Sequence, residues 1–204
     1  GTALEIFLTE TNQPPHILIG LDTRESCPRI LNDLLTGFSP HVTVCNAGIV
    51  PTPTLITLLT KKSEFSLGIM ITASHNPAHD NGLKFFLQHG ADLSKVAEQR
   101  IQELFDDSFG HTPTNNPPSC TITSYPSAYT EYLTPIQPYF TPHFLAGITV
   151  GLDCAHGSTS TYAPALFTHF GATVVAINNA PDGTNINAAC GSTHTEGLQR
   201  LVSD

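Results

Sequence analysis

The apolar positions of this chain fall into short runs that alternate with amphipathic segments. Four runs have the length of buried strands, at residues 16–21, 42–45, 68–71 and 83–87. Three segments place large apolar side chains at helical spacing, at residues 30–35, 54–61 and 96–105. Short strands that alternate with helices predict an α/β fold, with helices layered on a mixed, mostly parallel sheet.

A second unit repeats this pattern after a change in composition. Residues 110–119 are rich in Pro, Asn and Thr, which predicts a loop or linker. The segment that follows begins helically, but Pro135 and Pro138 break its end. Further strand, helix and strand signals follow, at residues 147–153, 161–170 and 173–177. We therefore expect two layered αβα domains, over residues 1–122 and 123–204, and the second is thin for a complete domain.

Charge and hydropathy restrict the classes of partner. The 204 residues carry a formal net charge of −9 and only eight Lys and Arg. This balance argues against nucleic acid as a partner, because its phosphates need clustered cations, but it leaves a small phosphorylated molecule open. No apolar run approaches the roughly 20 residues that span a bilayer, and the first residues show no secretory signal. We therefore expect a cytoplasmic protein without a membrane partner.

The cysteines indicate neither a disulfide framework nor a zinc site. They are five, widely spaced and without a C-x-x-C pair, at Cys27, Cys45, Cys120, Cys154 and Cys190. Cys190 and His194 are only two candidate ligands, which do not make a zinc site, so we expect them to pack within a loop. Reduced cysteines in a cytoplasmic protein are the expectation.

The strongest candidate for chemistry is the string T-A-S-H-N-P at residues 72–77. It follows an apolar strand, and Pro77 keeps the backbone from continuing as sheet. Ser74 is therefore expected on a loop at a strand end, where reactive groups of α/β proteins usually lie. A serine that merely caps a short helix is the alternative. A serine hydrolase that uses Ser74 and His75 is disfavoured, because adjacent side chains rarely meet nucleophile–base geometry and no G-x-S-x-G elbow is present.

Five other strings occur along the chain, before and after the serine loop. They are G-L-D-T-R-E-S at residues 20–26, G-I-V-P-T-P at 48–53, N-G-L-K at 81–84, D-C-A-H-G at 153–157 and D-G-T-N-I-N-A-A-C-G-S-T-H at 182–194. Together they resemble the α-D-phosphohexomutases, enzymes that move a phosphoryl group between two hydroxyls of one sugar. The last string resembles the segment typical of phosphoglucosamine mutases. With gaps, the resemblance runs from about Ile17 to Gln199.

The resemblance implies a role for several residues. Ser74 would carry the phosphoryl group as phosphoserine, with Lys84 beside it as acid or base and His75 assisting in the catalytic loop. Arg24 and Asn76 would bind phosphate or substrate. Two alternatives stay open from the residues alone: Arg24 as an ordinary surface arginine paired with Asp22 or Glu25, and Lys84 as a solvated strand lysine.

The resemblance also implies a cofactor. A phosphoserine carries about −1.5 to −2 charges at neutral pH, so a divalent cation, Mg²⁺, is expected beside Ser74 and bound through its phosphate. The family places the metal in a D-G-D-x-D-R loop, and no such string occurs here. The remaining ligands are therefore expected beyond Asp204.

The implied activity is the conversion of glucosamine 6-phosphate to glucosamine 1-phosphate through a bisphosphorylated sugar. The product would feed amino-sugar precursors of the bacterial cell envelope. Because family members are about twice as long and have four domains, the chain is expected to be the N-terminal half, domain 1 and most of domain 2, and inactive alone. A phosphoglucomutase or phosphomannomutase, or a non-catalytic binding module that keeps the fold, are the alternatives. A homodimer stays open.

Overall fold

The computed structural model describes residues 1–108 and 117–203. Five strands of the described residues form one sheet: β1 (His16–Leu21), β2 (Thr43–Ile49), β3 (Leu67–Ile71), β4 (Leu83–Leu87) and β5 (Thr121–Ser124). Their order is β4-β3-β1-β2-β5. All neighbours pair in parallel except β4, which runs antiparallel to β3 at one edge. The predicted mixed, mostly parallel sheet is confirmed.

Helices cover both faces of this sheet. Those of the first unit are α1 (Thr2–Glu10), α2 (Cys27–Thr36), α3 (Thr52–Lys61) and α4 (Lys95–Ser108). Ile17 and Ile19 of β1 lie in one apolar cluster with side chains of α1, α2 and α4, whereas Leu18 lies in another with side chains of α3. Successive strand residues point to opposite faces, so a strand that is apolar throughout must be covered on both sides. The layered αβα arrangement follows.

The second unit is built on a parallel pair of strands, β6 (Thr149–Asp153) and β7 (Thr173–Ile177). Two helices accompany the pair, α6 (Thr159–His169) and α7 (Glu196–Ser203), whereas α5 (Ala128–Leu133) packs against α3 of the first unit. Helix α6 packs against β7, and α7 packs against β6. None of the helices in the described ranges is long and apolar enough to cross a membrane.

The predicted boundary between the two domains, at residues 122 and 123, can be compared with the position of β5. This strand pairs with β2, so the first sheet continues to Ser124 and the division at residues 122 and 123 falls inside a strand. Residues 110–116 of the predicted linker lie outside the described residues. Helix α1 was not foreseen from the apolar pattern, although Leu4, Phe7 and Leu8 bury its inner face.

The five cysteines are all buried and unpaired. Cys27 is the clearest case: burial, with Asp22 beside the thiol, raises its pKa to about 12. Because the thiolate is the reactive form of cysteine, a thiol with so high a pKa is inert at neutral pH. Cys27 therefore serves as a packing residue of the apolar cluster on one face of the sheet.

The parallel strands determine where chemistry can occur. The carboxyl ends of β1, β2 and β3 meet at one edge of the sheet, and each strand leads into a loop there. Residues 22–26, 50–51 and 72–82 are these loops. The candidate strings of the first unit are thereby brought together at the edge where α/β proteins bind ligands.

Replacement of Ile69 by alanine tests the central strand. Ile69 of β3 is 0% exposed, so Ile69→Ala is expected to lower the free energy of unfolding by about 2–5 kcal/mol. Val96→Ala, at a side chain that is 79% exposed, should change it by less than about 0.5 kcal/mol. Urea denaturation measures both, and equal effects would contradict the assignment of Ile69 to the core.

Candidate active site

Ser74 lies on an exposed loop three residues after β3 ends. Its backbone has a φ of +58°, which places a non-glycine residue in the left-handed region. Such a conformation costs about 1–2 kcal/mol for an L-residue and concentrates at functional sites. The Ser74 amide donates to Thr72 Oγ1 at 3.0 Å, and the Asn76 amide donates to the carbonyl of Ala73 at 3.2 Å. The loop therefore has a defined turn that presents the serine to solvent.

Arg24 holds this loop through its backbone carbonyls. Its side chain is 1% exposed, and Nη2 donates to the carbonyl oxygens of Ser74 at 3.1 Å and Asn76 at 3.0 Å. Nη1 donates to the carbonyl of Pro77, and Nε donates to Asp22 Oδ2 at 3.0 Å. With its guanidinium engaged in this way, Arg24 positions the loop. The phosphate-binding role of Arg24 stays a prediction, and its pair with Asp22 is buried, unlike the surface pair of the alternative interpretation.

Asp22 completes this arrangement. Its Oδ1 accepts hydrogen bonds from the Arg24 amide at 3.0 Å and from Cys27 Sγ at 3.2 Å, and Oδ2 accepts from Arg24 Nε. A charge can be buried when an opposite charge and hydrogen bonds satisfy it. Asp22, 4% exposed, supplies both for Arg24. The pair therefore forms a rigid base under the serine loop.

Loops of the second unit reach the same edge. Asn187 Nδ2 donates to the carbonyl oxygens of Ser74 and Asn76, both at 2.9 Å. Thr23 Oγ1 donates to the carbonyl of His156 at 2.6 Å, 133 residues away along the chain. The string at residues 182–194 contains Asn187, but no role for Asn187 follows from the sequence, because nothing local indicates its partners.

A third contact between the units requires a glycine. The amide of Glu25 donates to the carbonyl of Gly183 at 2.9 Å. Gly183 has a φ of +95°, and a Cβ there would lie 3.0 Å from Glu25 Cβ. Both the backbone conformation and the close approach therefore exclude a side chain.

Asp153 at the end of β6 organises the second unit's loops. Its Oδ1 accepts from the Ala155 amide at 2.9 Å and from Asn178 Nδ2 at 3.0 Å. Its Oδ2 accepts from the Gly191 amide at 2.9 Å. The Ala155 carbonyl then accepts from the Asn187 amide at 2.9 Å. A single carboxylate thus connects three loop segments and places Asn187 at the serine loop.

Asp182 folds the loop that carries Gly183. Its Oδ1 accepts from the amide and the hydroxyl of Thr184, at 2.8 and 2.9 Å, and from the Asn185 amide at 2.9 Å. The hydrogen bond from the Thr184 amide is the main reason why the pKa of Asp182 lies below its usual value. Further along, Cys190 is buried, as the expected packing within the loop requires, whereas His194 is exposed.

Lys84 and His75 are exposed at the same end of the molecule. Lys84 pairs with Met70 across the antiparallel strands β3 and β4. Within residues 1–108 and 117–203, neither the Lys84 ammonium nor the His75 ring has a hydrogen bond or ion pair. Asn76 contributes its carbonyl to the loop contacts. Its substrate-binding role, and the catalytic roles of Lys84 and His75, stay predictions.

The described part of the chain does not supply a magnesium site by itself. It contains no group of three or more His, Cys, Asp or Glu side chains placed to share a metal. Asp22, the carboxylate in contact with the Arg24–Ser74 network, has both oxygens engaged by Arg24 and Cys27. At the serine loop, the Ser74 hydroxyl, or a phosphate attached to it, is one hard ligand that these contacts leave free.

The site is a serine hydroxyl that two α/β units position at the carboxyl edge of a parallel sheet, an arrangement suited to carrying a transferable group. Residues 1–110 match the family described as phosphoglucomutase/phosphomannomutase, alpha/beta/alpha domain I. The chain therefore belongs to the phosphoglucomutase/phosphomannomutase family.

Similar proteins agree with this assignment. The chain is 41% identical to a phosphoglucosamine mutase of Caldicellulosiruptor saccharolyticus, over 99% of the chain and 45% of the relative. It is 37% identical to a phosphoglucosamine mutase of Deinococcus deserti, over 100% of the chain and 46% of the relative. A crystal structure of a phosphoglucomutase/phosphomannomutase family protein from Burkholderia thailandensis shares the fold, with a TM-score of 0.76 at 22% identity over 99% of the chain and 44% of that protein. The chain thus spans about half the length of the curated relatives it matches.

Removal of the Arg24 guanidinium should destabilise the protein strongly. Arg24→Ala leaves Asp22 buried without its partner, so the free energy of unfolding is expected to fall by about 3–5 kcal/mol. Arg29→Ala is the matched control, because Arg29 and Asp33 form an exposed pair at the same 3.0 Å. An exposed pair contributes at most about 1 kcal/mol. Urea denaturation of both variants decides, and similar small losses would contradict the buried role of Arg24.

Proposed function

We propose that this chain is the phosphoryl-carrying part of a phosphoglucosamine mutase, which converts glucosamine 6-phosphate to glucosamine 1-phosphate. The observation that supports it best is the exposed Ser74 on a loop fixed through its own carbonyls. Relatives named phosphoglucosamine mutase match nearly the whole chain. The string at residues 182–194 resembles the same enzymes, and part of it contacts the serine loop.

The proposed chemistry begins with Ser74 as phosphoserine. A free hydroxyl of the sugar phosphate attacks the phosphorus, the bond to Ser74 Oγ breaks, and the sugar becomes bisphosphorylated. The proton of the sugar hydroxyl must leave, and Lys84 is the proposed acid or base. After the sugar reorients, Ser74 Oγ attacks its other phosphate, which restores the phosphoserine and releases the isomer.

Positioning is what the chain contributes to this reaction. Phosphoryl transfer passes through a loose transition state, so catalysis depends mainly on alignment and on neutralisation of the oxygen charges. Arg24 and Asn187 align the serine through its backbone and leave the hydroxyl free. We propose that His75 and Asn76, exposed on the same loop, assist beside the substrate.

A magnesium ion would supply the neutralising charge. In our proposal the phosphate on Ser74 is one ligand, and the carboxylates come from sequence beyond Asp204. The described residues do not fit a complete metal site, so no step of the proposal is assigned to the ion.

The rival within the family is a phosphoglucomutase or phosphomannomutase, which the family description names. A non-catalytic module that keeps the fold is the other rival. We further propose a cytoplasmic protein, without nucleic-acid or membrane partners, whose activity feeds amino-sugar precursors. A panel of sugar phosphates, assayed with the longer protein of which we propose this chain is a part, distinguishes the two kinds of mutase. Phosphorylation of Ser74 distinguishes either mutase from a non-catalytic binding module.

Phosphorylation of Ser74 is measurable as a gain of about 80 Da in intact mass. Incubation of the longer protein, which we propose contains this chain and completes the metal site, with glucosamine 1,6-bisphosphate and Mg²⁺ should add this mass, whereas its Ser74→Ala variant should gain none. Ser26→Ala is the control, because Ser26 lies at the same sheet edge and its hydroxyl is bonded to Asn81. An adduct that survives in Ser74→Ala, or no adduct over a time course, would contradict the proposal.

The chain alone should interconvert the two glucosamine phosphates no faster than its Ser74→Ala variant does. The reason is that it spans about 45% of a curated relative and that its described residues contain no group of three or more His, Cys, Asp or Glu side chains placed to share a metal. A coupled assay for glucosamine 1-phosphate measures the rate. Turnover near an ordinary enzymatic rate, on the order of 10 s⁻¹, would show that these residues suffice.

A further inference from the structure

The serine loop is held by a side chain that belongs to the second unit. Asn187 lies 113 residues from Ser74 along the chain, yet its Nδ2 donates to the carbonyls of Ser74 and Asn76. One amide group therefore binds the backbone on both sides of His75. The same two carbonyls accept hydrogen bonds from Arg24 Nη2.

The backbone of Ser74 needs such support. Its φ of +58° is a conformation that serine does not favour. Within its own loop, the described bond at this residue is that of its amide to Thr72 Oγ1 at 3.0 Å. Hydrogen bonds to the Ser74 and Asn76 carbonyls fix the orientation of the peptide groups that follow these two residues. They thereby restrict the backbone conformation of Ser74. The direction of the serine side chain therefore depends on them.

Asn187 is itself held in place before it meets the loop. Its amide donates to the Ala155 carbonyl at 2.9 Å, and Ala155 is bonded to the Asp153 carboxylate. Its φ of +59° is also left-handed, a conformation that asparagine tolerates better than most residues. The carboxamide therefore sits on a fixed backbone at bonding distance from the loop.

We propose that Asn187 is a positioning residue for Ser74. It holds the serine in its left-handed conformation and so directs the hydroxyl outward, which makes the geometry of the first unit's serine dependent on the second unit. The inference rests on the proposed function, because this direction matters for chemistry only if Ser74 carries the phosphoryl group.

Two substitutions isolate the carboxamide. Asn187→Asp keeps the shape and the tolerance for a positive φ but replaces the donor with an acceptor that faces two carbonyl oxygens. Asn187→Gly removes the side chain and keeps the backbone conformation accessible. Asn185→Asp is the matched control: it has the same charge change in the same loop, but among the described residues the Asn185 side chain bonds to Asp182 and Ala180 of that loop and not to the serine loop.

The readouts are local to the serine. In the isotope-labelled chain, the Cα and Cβ shifts of Ser74 and its HN–Hα coupling report the left-handed φ. Hydrogen exchange reports the backbone amides of Ser74, His75 and Asn76, since Pro77 has no amide hydrogen. Both Asn187 variants should lose the left-handed signature and exchange about tenfold faster there, since two hydrogen bonds are lost. Asn185→Asp should leave both readouts unchanged.

The outcomes separate positioning from general stability. An unchanged Ser74 signature in Asn187→Gly overturns the proposal, even if Asn187→Asp fails to fold, and so does an equal effect of Asn185→Asp. These measurements need no phosphate. Their failure therefore leaves the phosphoryl-carrier proposal standing, whereas failure of the intact-mass experiment leaves the role of Asn187 in the loop standing.

Discussion

The arrangement at Ser74 depends on the buried pair of Arg24 and Asp22. The guanidinium of Arg24 is only 1% exposed. Its burial is tolerated because a carboxylate and several carbonyl oxygens accept its hydrogen bonds. The serine loop leaves the sheet after β3, so its carbonyls lack strand partners and need other donors. Arg24 meets both needs with the same hydrogen bonds. The side chain of Ser74 is then free to face outward, which a reactive hydroxyl requires.

The second unit adds constraint to the same loop. Several non-glycine residues in the left-handed region lie at this contact, among them Ser74, Ala155, His156 and Asn187. Such conformations persist only when surrounding bonds determine them, and they concentrate where geometry serves function. Here the bonds come from Asp153, Asn187 and Arg24. Two sheets that pair no strands with each other are thus connected through loops at one edge, where the family's chemistry is proposed to occur.

This division of labour suits phosphoryl transfer. Because the transition state is loose, the protein contributes mainly alignment and neutralising charge, and little covalent chemistry. The described residues position the serine itself, through a buried ion pair and a carboxamide donor. Charge for the phosphate is scarcer, because Arg24 is engaged with the backbone and Lys84 lies on the neighbouring strand. The share of about 45% of a curated relative is consistent with a proposal in which the metal site is completed elsewhere.

Local pattern was enough to predict most of the helices and strands, although not α1, β5 or α7, and it also predicted the fold class and the exposed serine. The strands at Leu83–Leu87 and Thr173–Ile177 have the bounds that their apolar residues predicted, because alternation and burial are properties of neighbouring residues. Helix α2 begins at Cys27, three residues earlier than its apolar spacing indicated, since first-turn residues need not be apolar. The contacts of Arg24 and Asn187 with the serine loop are decided only by the tertiary structure. Their partners lie 50 to 113 residues away, and whether an arginine meets phosphate or a carbonyl depends on what the folded chain places around it.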